Sequence, residues 1–222
     1  MTTVELPVPA VPPSTVPRHA LPAPRAPRRG GASRVAGGAR PAPVRVSLPG
    51  RSLLLVAGMP GAGKSTLLAG LARGAGLVVL DSDAHRATLA RRFSRLPYRR
   101  YRPLVHLLHR LALVRAAGSG ARTVVVHLPA TGAVTRSAVA LLAALTGRTA
   151  HLLWVHVDPE EALRGQRDRG RMVPSGSFAG HARRAADTHR RLLRGRPRGF
   201  HAVTLLDRTT ARAGLMLETH LP

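Results

Sequence analysis

The eight residues Gly58-Met59-Pro60-Gly61-Ala62-Gly63-Lys64-Ser65 constrain this chain more than any other stretch. They fit G-x-x-x-x-G-K-[ST], and they sit where that pattern has physical meaning, between the apolar run Ser52 to Ala57 and a helical pattern that opens at Lys64. Glycines there let successive backbone N–H groups turn inward around a di- or triphosphate, and the start of the helix adds a favourable dipole. The Lys64 ammonium is a compact charge on a flexible stem and reaches the outer phosphates, while the Ser65 hydroxyl suits Mg²⁺. Lys64 is also the only lysine in the chain; the other basic residues among the 35 Lys+Arg are arginine. A lysine is retained where a planar guanidinium does not fit the cradle.

The surrounding pattern predicts an α/β fold. Apolar strands are expected at Ser52 to Ala57, Leu77 to Leu80, Thr123 to Leu128, His151 to Val157 and Phe200 to Leu206. Between them lie helical patterns at Lys64 to Arg73, Pro103 to Ala117, Val134 to Leu145, Pro159 to Arg167 and Gly180 to Arg194. Continuous apolar strands alternating with helices indicate a parallel sheet covered on both faces. In the Pro103 to Ala117 helix, Leu104, Leu107, Leu108, Leu111 and Val114 are spaced for one face, which is expected to be buried.

Residues 1–48 differ in kind. They are rich in Pro, Ala, Gly and Arg without periodicity, and are expected to form a disordered cationic tail. The folded domain is expected over 49–208, with 209–222 as a C-terminal extension. The net charge of +25 is compatible with a polyanionic partner such as nucleic acid. Enrichment in Ala, Arg, Gly and Pro with almost no Lys reads more simply as the codon usage of a GC-rich genome. There are no cysteines, so no disulfide or Cys-zinc framework exists. No apolar run is long enough to span a bilayer, and no signal peptide is evident, so a cytoplasmic protein is expected.

Two of the ten acids lie one residue apart in Leu80-Asp81-Ser82-Asp83-Ala84-His85-Arg86, at the carboxyl end of the second strand. That edge is where open α/β sheets take ligands. A carboxylate there can accept a proton from a hydroxyl or help hold Mg²⁺; alternatively, Ser82 or Asp83 caps a helix running to Arg92.

These features together resemble the P-loop kinase-like ATPases of the polynucleotide-kinase and zeta-toxin type. The resemblance covers residues 51–208 and rests on VAGMPGAGKSTL, LDSDAHR and WVHVDPEEALRGQRDRGR. It implies a P-loop sheet ordered 2-3-1-4-5, counted from the strand at Ser52, with an arginine-rich lid near 164–180. It implies ATP and Mg²⁺ as ligands, bound by Gly58 through Ser65 with Thr66. Asp83 would be the base toward a hydroxyl acceptor, with Arg86 on substrate phosphate. Arg164, Arg167 and Arg171 follow i, i+3, i+7, and of these Arg167 and Arg171 are the candidates for closing over the nucleotide. The family's third strand ends in an acid. Here Val124-Val125-Val126-His127-Leu128 has none, so Asp81 or Asp83 must replace it or metal binding is weak. The expected activity is transfer of the ATP γ-phosphate to a hydroxyl acceptor. The alternatives are a nucleotide-binding switch without transfer and a nucleic-acid-associated NTPase. The basic stretch Arg91 to Arg102 can face an anionic acceptor or be plain surface.

Overall fold

The computed structural model describes residues 42–71, 76–168, 170 and 174–220. Seven strands and seven helices follow one another among them. The central sheet takes β2 (Ser52–Ala57), β3 (Leu77–Leu80), β4 (Thr123–His127), β5 (Thr149–Val155) and β6 (Ala202–Leu206) in the spatial order β3-β4-β2-β5-β6, all parallel. Counted from Ser52, this is the expected order; a strand that precedes it shifts each number by one.

β2 lies in the middle, and all six of its residues are buried. Leu54 stands opposite Val125 on one side and His151 on the other. Right-handed crossovers then distribute the helices. The step from β2 to β3 runs one way across the sheet and every later step runs the other way. This places α1 (Lys64–Ala69) on one face and α3 (Tyr98–Gly118), α4 (Ala133–Leu145) and α6 (Ser175–Arg194) on the opposite one. The remaining helices are α2 (Ser82–Arg92), α5 (Pro159–Arg167) and α7 (Arg208–Arg212).

The structure departs from the sequence reading at both ends of the domain. Val44–Pro49, at the close of the expected tail, forms β1, and Leu215–His220, in the expected extension, forms β7. The two pair in parallel as a separate two-stranded sheet, Val44 opposite Leu215 through Pro49 opposite His220. The cause is a short alternation hidden in biased composition: Val46 and Leu48 turn inward at 6% and 0% exposure while Arg45 and Ser47 face out. Arg45 Nη1 meets Glu218 Oε1 at 3.0 Å across the pair. The rest of the expected tail, 1–41, lies outside the described residues.

A second departure concerns α3. It starts at Tyr98, five residues before Pro103, and buries Tyr101, Val105, His109, Leu113, Ala116 and Ala117. Leu107, Leu111 and Val114, expected inside, are exposed. A face rotated by one residue wins because it brings Tyr101 and Val105 against Leu89 of α2, with Phe93 and Tyr98 alongside. The Phe93 and Tyr101 rings lie 6.1 Å apart, and Tyr98 meets Tyr101 edge-on at 5.3 Å.

Buried charge also supports the frame. The Arg148 side chain reaches the end of α3, with Nε on the Ala117 carbonyl at 2.7 Å and Nη2 on those of Ser119 and Ala116 at 2.9 and 3.3 Å. These are carbonyls that a helix terminus leaves without intrahelical donors. Burial and the neighbouring Arg51 charge both oppose its protonation, and the carbonyl ring compensates.

Candidate active site

The loop from β2 to α1 is built by close backbone approach. α5 lies against it through Ala162, Gly165 and Gln166, its buried residues. Gly61 has φ 93°, and a Cβ there would stand 2.1 Å from the Ala162 carbonyl oxygen. A Cβ on Gly165 would stand 2.7 Å from the Gly61 carbonyl oxygen and 2.9 Å from the Arg208 guanidinium. Both positions admit only glycine without displacement. Gln166 Nε2 donates to the Pro60 carbonyl at 3.1 Å, and the Gly58 N–H donates to the Pro129 carbonyl at 3.1 Å. The loop is thereby fixed from α5 on one side and from the segment after β4 on the other.

Within it, Gly63 caps α1 and Lys64 is its first residue, 4% exposed. Lys64 Nζ donates to the carbonyls of Gly58 and Met59 at 2.9 and 2.8 Å. Ser65 and Thr66 follow in the first turn, Thr66 exposed. Beside them a cavity of about 210 Å³ is lined by Gly63, Thr66, Gly165, Asp168, Arg208, Ala211 and Arg212. Arg208 is held there by Glu161, Nε to Oε1 3.6 Å.

The acidic turn lies at the carboxyl edge of β3. Asp81, not Ser82 or Asp83, is the N-cap of α2: its Oδ1 accepts the Asp83 N–H at 3.1 Å. The same oxygen lies 3.2 Å from His127 Nδ1, at the end of β4 where an acid was expected. The His127 carbonyl in turn accepts from Nε2 of buried His109 at 3.2 Å, and His109 meets the His85 ring edge-on at 5.8 Å. Burial alone would raise the Asp81 pKa. The close contact and charge of His127, the Asp83 N–H and the His109 charge outweigh it and lower the value to about 2. Burial, and the nearby His85 and His127, push His109 down, against the His127 carbonyl and Asp81.

Asp83 is half-buried in the first turn of α2, at the end of β3, with β4 between that strand and β2. Arg86 lies over the Tyr98 ring, 4.4 Å from its centroid. Arg164 and Arg167 are exposed on α5, on the side away from the loop-facing residues. Arg171 lies outside the described residues. No group of three or more His, Asp or Glu side chains suited to a metal ion occurs among the described residues. A Mg²⁺ ion would therefore have to be carried largely by phosphates and water.

Three contributors escaped the sequence reading: Gln166 and Gly165, which fix the loop, and His109, which donates to the His127 carbonyl; for His127 it was the contact with Asp81 that went unread. A glycine inside the helical run EEALRGQR was the one available signal.

The sequence profile of the AAA domain family matches residues 53–193. No curated protein matches the chain. Among solved structures, the chain is similar to one from Chloroflexus aurantiacus J-10-fl that carries a provisional kinase assignment, at 16% identity over 70% of this chain and 87% of that one, TM-score 0.50. It is also similar to a gluconokinase from Sinorhizobium meliloti 1021, at 19% identity over 73% and 89%, TM-score 0.46. A third is a structure from the PezAT chromosomal toxin-antitoxin system of Streptococcus pneumoniae, at 15% identity over 71% and 67%, TM-score 0.49. The first of these likenesses concerns the fold alone.

Proposed function

The chain belongs to the AAA domain family, and from that premise we propose that it binds ATP with Mg²⁺ and transfers the γ-phosphate to a hydroxyl acceptor. The observation that carries this reading is the loop itself. Its only buried cation, Lys64 Nζ, rests on two loop carbonyls, Gly58 and Met59, at the start of a helix. A phosphate is a stronger partner for an ammonium than a neutral carbonyl, so it takes the Lys64 head from these acceptors. The cavity lined by Thr66, Gly165 and Arg208 then receives the nucleoside.

Phosphoryl transfer needs positioning and charge neutralisation more than covalent chemistry. Mg²⁺, when bound, would neutralise charge on the outer phosphates, with Ser65 and Asp81 as its candidate protein ligands. Asp83 accepts the acceptor's proton as the P–O bond forms. Arg86, Arg167 and Arg171 stay the candidate cations for the transferred group, although Arg86 would have to leave the Tyr98 ring and Arg167 to turn in from the outer side of α5. The test is a γ-phosphate transfer assay beside a calorimetric ATP titration. Asp83→Asn is expected to keep ATP affinity and to lower transfer by about 10²–10⁴. Unchanged turnover in that variant removes Asp83 as the base.

One observation favours a second reading, a nucleotide-binding switch without transfer. His127 stands where an acid is expected, and it engages Asp81, one of the two carboxylates that could replace it. ATP binding in the wild type without transfer to any acceptor supports the switch.

A further inference from the structure

α4 is a surface helix with no charge on its outer face. Its only ionisable side chain, Arg136, turns inward, with Nη1 on the Ala130 carbonyl at 2.7 Å. Facing out are Val134, Ala138, Leu141 and Leu145, an i, i+4, i+7, i+11 stripe on the side away from buried Val139, Ala140 and Ala143. Val134, Leu141 and Leu145 are 84%, 60% and 76% exposed.

The neighbouring α3 repeats the pattern. Leu107, Leu111 and Val114, each about half exposed, form an i, i+4, i+7 stripe opposite buried Val105, His109 and Leu113. α3 lies over β3 and β4, α4 lies over β2 and β5, and the two helices touch. The two stripes therefore run side by side on one outer surface. Exposed leucines scattered singly are ordinary, but adjoining stripes of them mark a surface that meets another apolar phase.

The charge around the stripes has one sign. Neither α3 nor α4 contains Asp or Glu. Arg100, Arg110 and Arg115 are exposed on α3. α6, the third helix of this layer, presents Arg183, Arg190 and Arg194 at i, i+7, i+11, opposite buried Phe178, Ala185 and Leu192. Its one acid, Asp187, is already paired with Arg190. On an anionic bilayer, such apolar side chains enter the headgroup boundary while the bordering cations meet lipid phosphates. A second copy is a poorer match, because it brings the same arginines to the border of the joint. A partner helix laid along the two stripes would leave the arginines of α6 unmatched.

We propose that the outer face of α3, α4 and α6 docks on an anionic membrane surface, the leucines of α3 and α4 entering the headgroup boundary and the arginines of α3 and α6 meeting lipid phosphates. This is attachment to a surface: among the described residues no helix is long and apolar enough to cross a membrane. The proposal does not depend on the phosphotransfer reading.

The experiment sediments the full chain with vesicles of phosphatidylcholine alone and of phosphatidylcholine mixed with phosphatidylglycerol. Binding is expected to the mixed vesicles and should be weaker by about tenfold or more with the neutral ones. The double variant Leu141→Gln, Leu145→Gln should lose about tenfold or more of that binding while its melting temperature stays that of the wild type, since both side chains are exposed. Arg183→Gln with Arg194→Gln should lose about tenfold or more as well. Met216→Gln, an exposed apolar position on β7 outside this face, is the control and should bind like the wild type. Unchanged binding in the leucine variant overturns the proposal, because net charge alone would then hold the vesicles. Unchanged binding in the arginine variant, or no binding by the wild type, overturns it too. So does a wild type that is dimeric in sedimentation velocity without lipid and that the leucine variant returns to monomer, for the face is then a joint between copies.

Discussion

His127 Nδ1 lies 3.2 Å from Asp81 Oδ1, so the position where an acid would hold metal instead carries a base that engages the neighbouring strand's acid. Asp81 thereby couples the ends of β3 and β4 while capping α2. Asp81→Asn keeps a capping oxygen and removes the charge. Its folded pKa, about 2, lies below the ordinary carboxylate value, so the charge stabilises the fold above the ordinary value and that contribution is lost as pH falls through the folded one. The variant is expected to be about 1–2 kcal/mol less stable than wild type at pH 5 to 7, with the gap closing between about pH 4 and pH 2. Urea unfolding of both proteins across that range checks it, and a gap independent of pH removes the charge from the account.

Lys64→Ala is expected to lose ATP affinity by about a hundredfold or more while remaining folded. Because Nζ also donates to Gly58 and Met59, the ammonium does more than await phosphate, and a stability loss of about 1–2 kcal/mol should accompany the change. Calorimetric titration with a parallel thermal melt separates the two effects.

Gly165→Ala forces a Cβ against the Gly61 carbonyl and the Arg208 guanidinium. It should destabilise by about 1–3 kcal/mol and weaken ATP binding, because α5 must retreat from the loop. Gly176→Ala in α6, where a Cβ meets nothing within 4 Å, is the control and should be neutral or slightly stabilising. Equal behaviour of the two variants in thermal melts would contradict the close approach.

Arg148→Met keeps an apolar stem of similar length but abandons the carbonyls at the end of α3. A loss of about 2–4 kcal/mol in denaturant unfolding is expected, larger than for an exposed arginine such as Arg194.

Deleting residues 1–41 leaves both sheets whole, and the melting temperature should stay nearly unchanged. Deleting residues 1–50 removes β1 and with it buried Val46 and Leu48, a loss of about 3–5 kcal/mol. Melting curves of the two truncations should therefore diverge.

The central sheet was legible because its strands are continuous apolar runs separated by helical patterns, and because one glycine-rich motif marks the turn from β2 to α1. β1 and β7 were not, since a five- or six-residue alternation carries little weight inside a Pro- and Arg-rich background. The face of α3 was misassigned because periodicity fixes spacing but not phase. Only its contacts with Leu89 and His85 of α2, and with Phe93 just beyond it, select Val105 and His109 over Leu107 and Leu111. At the site, the sequence named the residues a motif can name. The engagement of Asp81 by His127 depends on strand order and helix placement that no local pattern encodes.

The parallel pairing of Val44 with Leu215 has a temporal consequence. The strand made first must wait for the strand made last. At synthesis rates of roughly 5–20 residues per second, about ten to thirty seconds separate them. During that interval Val46 and Leu48 lack their partner strand while the five-stranded sheet can already assemble behind them. Such a long-range contact also contributes more than most to contact order, so closing the two-stranded sheet should be a late and slow event in refolding. Hydrogen exchange should find β1 and β7 protected together, and later than β2 and β4.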